Sequence, residues 1–503
     1  MRQPLIRRVS PGMRRAMPQT IQAPYGGING VDALAGGMNP VDAIDLRNFI
    51  CIDGGLETRA GYAIRNDLGT GAPVHFLHKM PAGDSSIAGS GGKLFSVAGG
   101  VTLLASGFTS DRWRCAVMNQ RLMLVNGSDA PRTVYAGSVT ATAWTGPADL
   151  TKLHRVRAHA KRLFFAEKGT ASFWYTEAPG NIAGALKSFD LSGIGNRGGT
   201  LVDIATMAPD GGLGGDDDAI VFFMSSGEAI VYRGSNPDDA GNWGRVGVFQ
   251  VARPVVAESH AGDVLTVSAD GYSELSRVLP AGRSPVAGFG AKLGRIARRA
   301  VADFGHNPGW QVLYHPGQGL LLVHFPQTAT SGQQHILNMA TGAWSRWTDM
   351  PATTWGHIGD ALCFGTSDGK ICSYGANSDA GAPIVATAQA AWNVMGAPGH
   401  KKRIGLVKPY VTSMATPTVR HIIGVDFRAP VYGAAAGLTV ADDTGIWDTS
   451  DWDHAVWAGA EKVTADFRGG GALGEWIGLG LRVDSQAGPV KWLATTMNVE
   501  FGG

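Results

Sequence analysis

The chain has 503 residues, among them 72 Gly, 25 Pro, 14 Trp, 18 Phe and 10 Tyr, with only 17% charged residues. This is too much apolar and aromatic material for a disordered polymer and too many turn residues for a helical bundle. A net charge of +2 excludes any general attraction to nucleic acid or membrane surfaces, and four cysteines do not make a disulfide scaffold.

Residues 1–71 are Gly/Pro-rich, with little periodicity, and basic at the start: Arg2, Arg7, Arg8, Arg14 and Arg15 occur without an acid in the first 31 residues. No apolar run follows these arginines, so a secretory signal is not expected, and no run in the chain has the length of a membrane span. The segment reads as an arm whose burial depends on neighbours.

From residue 72 to 383 the pattern changes to short apolar runs closed by Gly, Asp, Asn or Pro, the mark of antiparallel hairpins. Similar runs start at Gly92, Gln120, Lys161, Ala219, Asp263, Gly319 and Asp360, about 45 residues apart on average. Several are followed by a second strand, as at Ser225–Tyr232 and Ser367–Tyr374, and Leu337–Pro351 resembles a kelch blade. One small antiparallel sheet cannot bury both faces, whereas radial packing of several does so. The expected fold is mainly β: a diverged β-propeller over 72–383, with an N-terminal arm over 1–71 and a C-terminal β domain over 384–503. A two-sheet sandwich is the rival for the middle region. Leu293, Ile296, Ala297 and Ala300 predict one short helix within 290–301. In the last domain, Leu406–Thr412 reads as an edge strand because of Lys408 and Pro409, and 476–484 with 490–500 as a long hairpin.

Signs of chemistry are sparse. Gly193–Gly198 matches G-x-G-x-x-G, but an extended pattern follows where a phosphate-binding helix belongs, so it reads as a turn. Gly89–Lys93 lacks the spacing of a phosphate loop. His75 with His78, and His154 with His159, have no Cys or Glu at ligand spacing. Asp216–Asp218 reads as a solvated turn before a buried strand. Asp263, Asp270, Asp360 and Asp368 sit at hairpin turns, where Asp caps its own backbone. Cys363 and Cys372 flank one such turn and read as buried thiols. No catalytic residue, cofactor site or metal site is expected. Basic stretches offer contacts to DNA or to a neighbouring protein through Arg155, Arg157, Lys161, Lys401, Lys402 and Arg403. Trp447, Trp452 and Trp457, three Trp in eleven residues, suit either core packing or a subunit interface.

The N-terminal segment carries the most specific wording. It reads Ala-Pro-Tyr-Gly-Gly-Ile-Asn over 23–29, Leu-Arg-Asn-Phe over 46–49, and Gly-Gly-Leu-Glu-Thr-Arg-Ala-Gly over 54–61. This resembles the opening of the nozzle, or tubular tail, proteins of short-tailed bacteriophages. Arg162–Glu167, Phe173–Glu177, Phe223–Pro237 and the closing Gly502–Gly503 resemble later parts of the same proteins. The resemblance implies a non-enzymatic virion protein, assembled in the host cytoplasm, forming a homohexameric ring below the portal and adaptor. Such a ring encloses the exit channel for double-stranded DNA, held non-specifically, and docks tail fibres or spikes. It also implies that Gly26, Gly27, Asn29, Asn48, Arg59 and Gly61 serve docking by the arm. The alternatives are a solitary kelch-like propeller that binds carbohydrate or protein and, more distantly, a propeller glycosidase with clustered acids and arginines.

Overall fold

The computed structural model describes residues 16–32, 34–81, 83, 85–208, 218–281, 288–413, 417–433, 436–437, 444–445, 456–457, 462–464 and 466–502. Internal contacts divide the chain into a unit from Gly61 to Ala380 and a second unit made of the residues up to Ala60 and those from Gly381 onward.

Among the described residues, the first unit is a seven-bladed β-propeller. The innermost strands of its blades, in order, are Val74–Lys79, Arg114–Met118, Leu153–His159, Leu201–Met207, Pro254–His260, Gln311–His315 and Thr354–Ile358. Antiparallel neighbours extend each of them outward. The last blade meets the first, so the ring is closed. Closure uses chain from before the first blade: Gly61–Asp67 is the outer strand of blade 7, antiparallel to Lys370–Ala376. The propeller thus begins at Gly61, eleven residues before the boundary that hydropathy suggests, because this strand joins its sheet through backbone hydrogen bonds and carries few apolar side chains.

The continuous apolar runs follow from radial packing. In blade 3, Phe164 and Ala166 join the core shared with blade 4, while Leu163 and Phe165 join the core shared with blade 2. In blade 4, Ile220 and Phe222 face blade 3, and Val221 and Phe223 face blade 5. Alternate side chains of a strand point to opposite faces, so a strand buried on both faces is apolar throughout. The blade 3–4 core is aromatic, with Phe173 stacked on Phe222 at 4.4 Å and Tyr232 on Trp243 at 5.0 Å.

Each of the seven runs read from the sequence falls in a different blade. Six form the second strand of their blade, and Gly92–Val97 falls on the third strand of blade 1. That shift accounts for the short first interval. The long interval before Gly319 has another cause: among the described residues blade 5 has three strands, followed by helices Leu275–Ala281 and Gly294–Phe304. The second helix is the predicted one; the first lacks a readable period. Cys363 lies opposite Ser373 and Cys372 opposite Phe364, so the register sets the two buried thiols off each other.

The second unit is a β-sandwich. One sheet runs Phe49–Ile52, Gly55–Thr58, Val490–Phe501 and Lys402–Ser413, with Met17–Gln22 also on Val490–Phe501. The other contains Ala43–Arg47, Ile384–Ala390, Ile477–Ser485 and Thr418–Val425. Ile404, Val407, Met497 and Val499 of the first pack against Ile423, Ile477 and Leu479 of the second. Two sequence expectations are corrected. Ile477–Ser485 and Val490–Phe501 do not pair as a hairpin: each joins a different sheet, because both sheets need a long apolar strand for the shared core. Lys402–Ser413 is an inner strand. Its Pro409 falls between the stretches paired on the far side, 402–407 and 411–413, where no ladder requires its N–H.

Candidate functional site

Residues of all seven innermost strands line an axial channel through the propeller, a cavity of about 1200 Å³. Its lining includes five arginines and two lysines against two carboxylates, Asp203 and Glu258. Both carboxylates are committed. Arg155 on blade 3 donates from Nε to Asp203 of blade 4 at 3.2 Å, and from Nη1 to the carbonyl of His154 at 3.1 Å. Arg157 donates from Nε to the carbonyl of Ile204 at 2.9 Å and from Nη2 to that of Ala257 at 3.2 Å. It also grips Glu258 of blade 5 with both terminal nitrogens, at 3.0 and 2.9 Å. This bidentate pairing pins three successive blades together. Burial works most strongly against the Arg157 charge, but Glu258 and Asp203 together with Cys115 outweigh it and raise the pKa further above the ordinary arginine value.

Arg114 differs from its neighbours. It lines the channel at the start of the blade 2 strand, and its guanidinium makes no hydrogen bond or ion pair among the described residues. Burial, and then the repulsion of Arg155, lower its pKa to about 10, so it remains charged at neutral pH.

Imidazoles complete the lining. His154 and His357 are both lowered to about 4, chiefly by burial, and are neutral at pH 7. His357 stacks on His315 at 5.7 Å, and His260 lies 4.8 Å from Tyr314. His78 titrates above its ordinary value because Cys115 lies beside it, an effect larger than the opposing effect of burial. This thiol–imidazole pair is the nearest approach to a nucleophile and base in the channel. No carboxylate hydrogen-bonds the His78 ring among the described residues, so the third member that orients a catalytic imidazole is missing. Nor do any three His, Cys, Asp or Glu among the described residues gather as a metal set.

Of the cations expected to touch DNA or a neighbour, Arg155 and Arg157 face this channel and are held by carboxylates. Lys402 is corrected: it is fully buried, its Nζ donating to the carbonyls of Ala397 at 2.5 Å and Glu475 at 3.0 Å. Lys161 and Lys401 are exposed, and Arg403 is exposed beside Glu500 at 3.6 Å. Trp447, Trp452 and the side chain of Trp457 lie outside the described residues, as do Asp216 and Asp217.

The arm residues are woven into their own chain. Gly27 has φ of 82°, and a Cβ on Gly26 would lie 2.3 Å from Asp42 Oδ1. That close approach lets Asn29 donate to Asp42 Oδ2 at 2.7 Å while its own Oδ1 accepts from the backbone of Val31 and Asp32. Asn48, with φ of 56°, donates to the carbonyl of Val385 at 2.8 Å and accepts from Arg59 Nε at 3.0 Å. Asn29, Asn48 and Arg59 are all buried. Their burial comes from the sandwich that the arm helps to form, because the Met17–Thr58 strands supply its missing edge partners. Gly61 opens the propeller's closing strand, where a Cβ would lie 2.1 Å from the carbonyl oxygen of Ser378.

The channel residues Arg114, His78, Asp203 and Glu258 carry no motif in the sequence. A usable signal does exist: His78, His159, His260, His315 and His357 recur at or near the end of the innermost strand of five blades.

No protein-family model matches the chain, and no curated protein sequence does. Among solved structures it is similar to YCF48 bound to D1 peptide, with a TM-score of 0.38 and 10% identity, covering 61% of this chain and 95% of that one. It is also similar to BBS1N in complex with ARL6DN, soaked with mercury, with a TM-score of 0.39 and 15% identity, covering 64% of this chain and 99% of that one.

Proposed function

We propose that this β-propeller protein acts by binding and assembly and not by catalysis, as a structural subunit of the tail nozzle of a short-tailed bacteriophage. In this reading it forms a ring, six-fold in such tails, below the portal and adaptor. The ring encloses the DNA exit path and carries fibres or spikes. The observation that supports it is the role of the N-terminal signature: Gly26, Gly27, Asn29, Asn48, Arg59 and Gly61, the residues that resemble nozzle proteins, are those that tie the arm into the sandwich and begin the propeller's closing strand. The signature is therefore an architectural element, as expected of a protein whose work is to hold shape. A duplex would pass through the lumen of the ring and not through the propeller, whose axial channel is a cavity of about 1200 Å³ lined by side chains of all seven innermost strands. A heterologous interface with closed rotation supplies such a lumen.

A second reading is a solitary propeller with a ligand in its channel, which the arginine lining favours. The mass in solution separates the two. A species near six times 52.6 kDa, alone or on mixing with an adaptor ring, supports the nozzle. A monomer under both conditions supports the solitary propeller.

A further inference from the structure

Cations outnumber carboxylates in the channel lining, and not all of them are paired among the described residues. Asp203 and Glu258 are consumed by Arg155 and Arg157, and the outer groups Lys168 and Arg253 are exposed. Arg114 is left as a half-buried guanidinium with no partner among the described residues. A guanidinium does not relieve this by losing its proton at neutral pH. No nitrogen of the Arg114 guanidinium is sealed from the cavity without a partner, so its donors are open to a ligand there. Beside it, Arg155 and Arg157 are fixed by their own hydrogen bonds, and Nδ1 of His154 is buried without a partner on the same wall. The result is an open fork of donors on a rigid support, with a cavity in front of it large enough for a small organic molecule.

We propose that the axial channel of the propeller is a binding site for an oxyanion-bearing ligand, a phosphate or carboxylate group held by the guanidinium of Arg114. Planar guanidinium donors match both groups in bidentate fashion. Arg155 and Arg157 act as positioning residues: held by Asp203 and Glu258, they stand beside Arg114 and are kept from folding onto the ligand. This inference does not depend on whether the chain forms a ring.

The test uses the full chain and thermal unfolding. Wild-type protein, Arg114→Gln and Arg114→Lys are titrated with pyrophosphate, with citrate, and with sodium chloride at matched ionic strength. Wild type is expected to gain melting temperature with pyrophosphate or citrate beyond the chloride control, and the better of the two identifies the group as phosphate or carboxylate. Apparent affinity should fall at least tenfold in Arg114→Gln, with Arg114→Lys in between. Without ligand, Arg114→Gln should melt at or above the wild-type temperature, because it removes a cation that Arg155 and Arg157 repel. A structural arginine would give the opposite. The proposal is overturned if neither anion exceeds chloride in wild type, if Arg114→Gln responds as wild type does, or if the ligand-free variant melts lower or fails to fold.

Discussion

Acid should destabilise the propeller through two histidines of blade 6, and the size of the effect follows from their burial. His324 and His335 are 0% and 1% exposed. His324 accepts from the Gln334 amide at Nδ1, 3.2 Å away, and His335 Nδ1 lies 2.8 Å from the hydroxyl of the buried Tyr272. Burial lowers both to about 3, with Arg112 near the first and Arg346 near the second adding repulsion. In the unfolded chain each titrates near 6.5. The sign is therefore fixed. Above about pH 6.5 both states hold neutral imidazoles and stability is full; as pH falls toward the folded value, only the unfolded chain takes up protons and stability is lost. Each group approaches a slope of about 1.4 kcal/mol per pH unit below 6.5, so between pH 7.5 and 5 the pair accounts for roughly 4 kcal/mol. That is a large share of the roughly 5–15 kcal/mol that stabilises a typical domain. Denaturant unfolding followed by Trp fluorescence at pH 7.5, 6.0 and 5.0 measures it. His324→Gln/His335→Gln should be less stable than wild type at pH 7.5 yet flatter with pH by about two protons' worth of slope. An unchanged slope in the double variant would refute the assignment of acid sensitivity to these two groups.

Three further outcomes are expected. Gly61→Val places a side chain into the carbonyl of Ser378 and should destabilise the propeller by about 2 kcal/mol or more through loss of its closing strand, read as a lower denaturation midpoint. Arg59→Ala removes a buried donor from Asn48 Oδ1 and from the carbonyl of Ala60; a cost of about 3 kcal/mol is expected, and Arg59→Lys should not restore stability because it lacks the fork. Of the four thiols only Cys115 is not buried, so a soluble disulfide reagent should label one equivalent in the folded protein and four in denaturant, and Cys115→Ser should abolish the native equivalent. Labelling of more than one thiol in the folded state would contradict the packing of Cys51, Cys363 and Cys372.

Strand periodicity and turn residues are local properties, and they were readable. The seven apolar runs mark the seven blades one for one, and runs such as Arg162–Glu167 are apolar at every central position because radial sheets bury both faces. Of the hairpin aspartates, Asp263 Oδ1 accepts from the backbone of Val264, whereas Asp368 accepts from the side chains of Thr366 and Lys370 and Asp360 pairs with Lys79. Pairing between distant segments leaves no such mark. The strand Gly61–Asp67 has weak amphipathy and finds its partner some 310 residues later, and the arm's strands are completed by Ile384–Ala390 and Val490–Phe501. The two strands at the C-terminal end looked like one hairpin because adjacency in sequence is the only clue a sequence offers, whereas the sandwich core divided them between its sheets. The channel was least legible of all. Arg114, Arg157 and Glu258 come from three blades, and whether a cation is solvated, paired or left open depends on which strands the closed ring brings side by side. Sequence alone determined the β architecture and its repeat, since these rest on residues a few positions apart. Ring closure, the weaving of the arm and the charge left unpaired in the channel were decided only by the tertiary structure, because each depends on contacts between residues far apart in the chain.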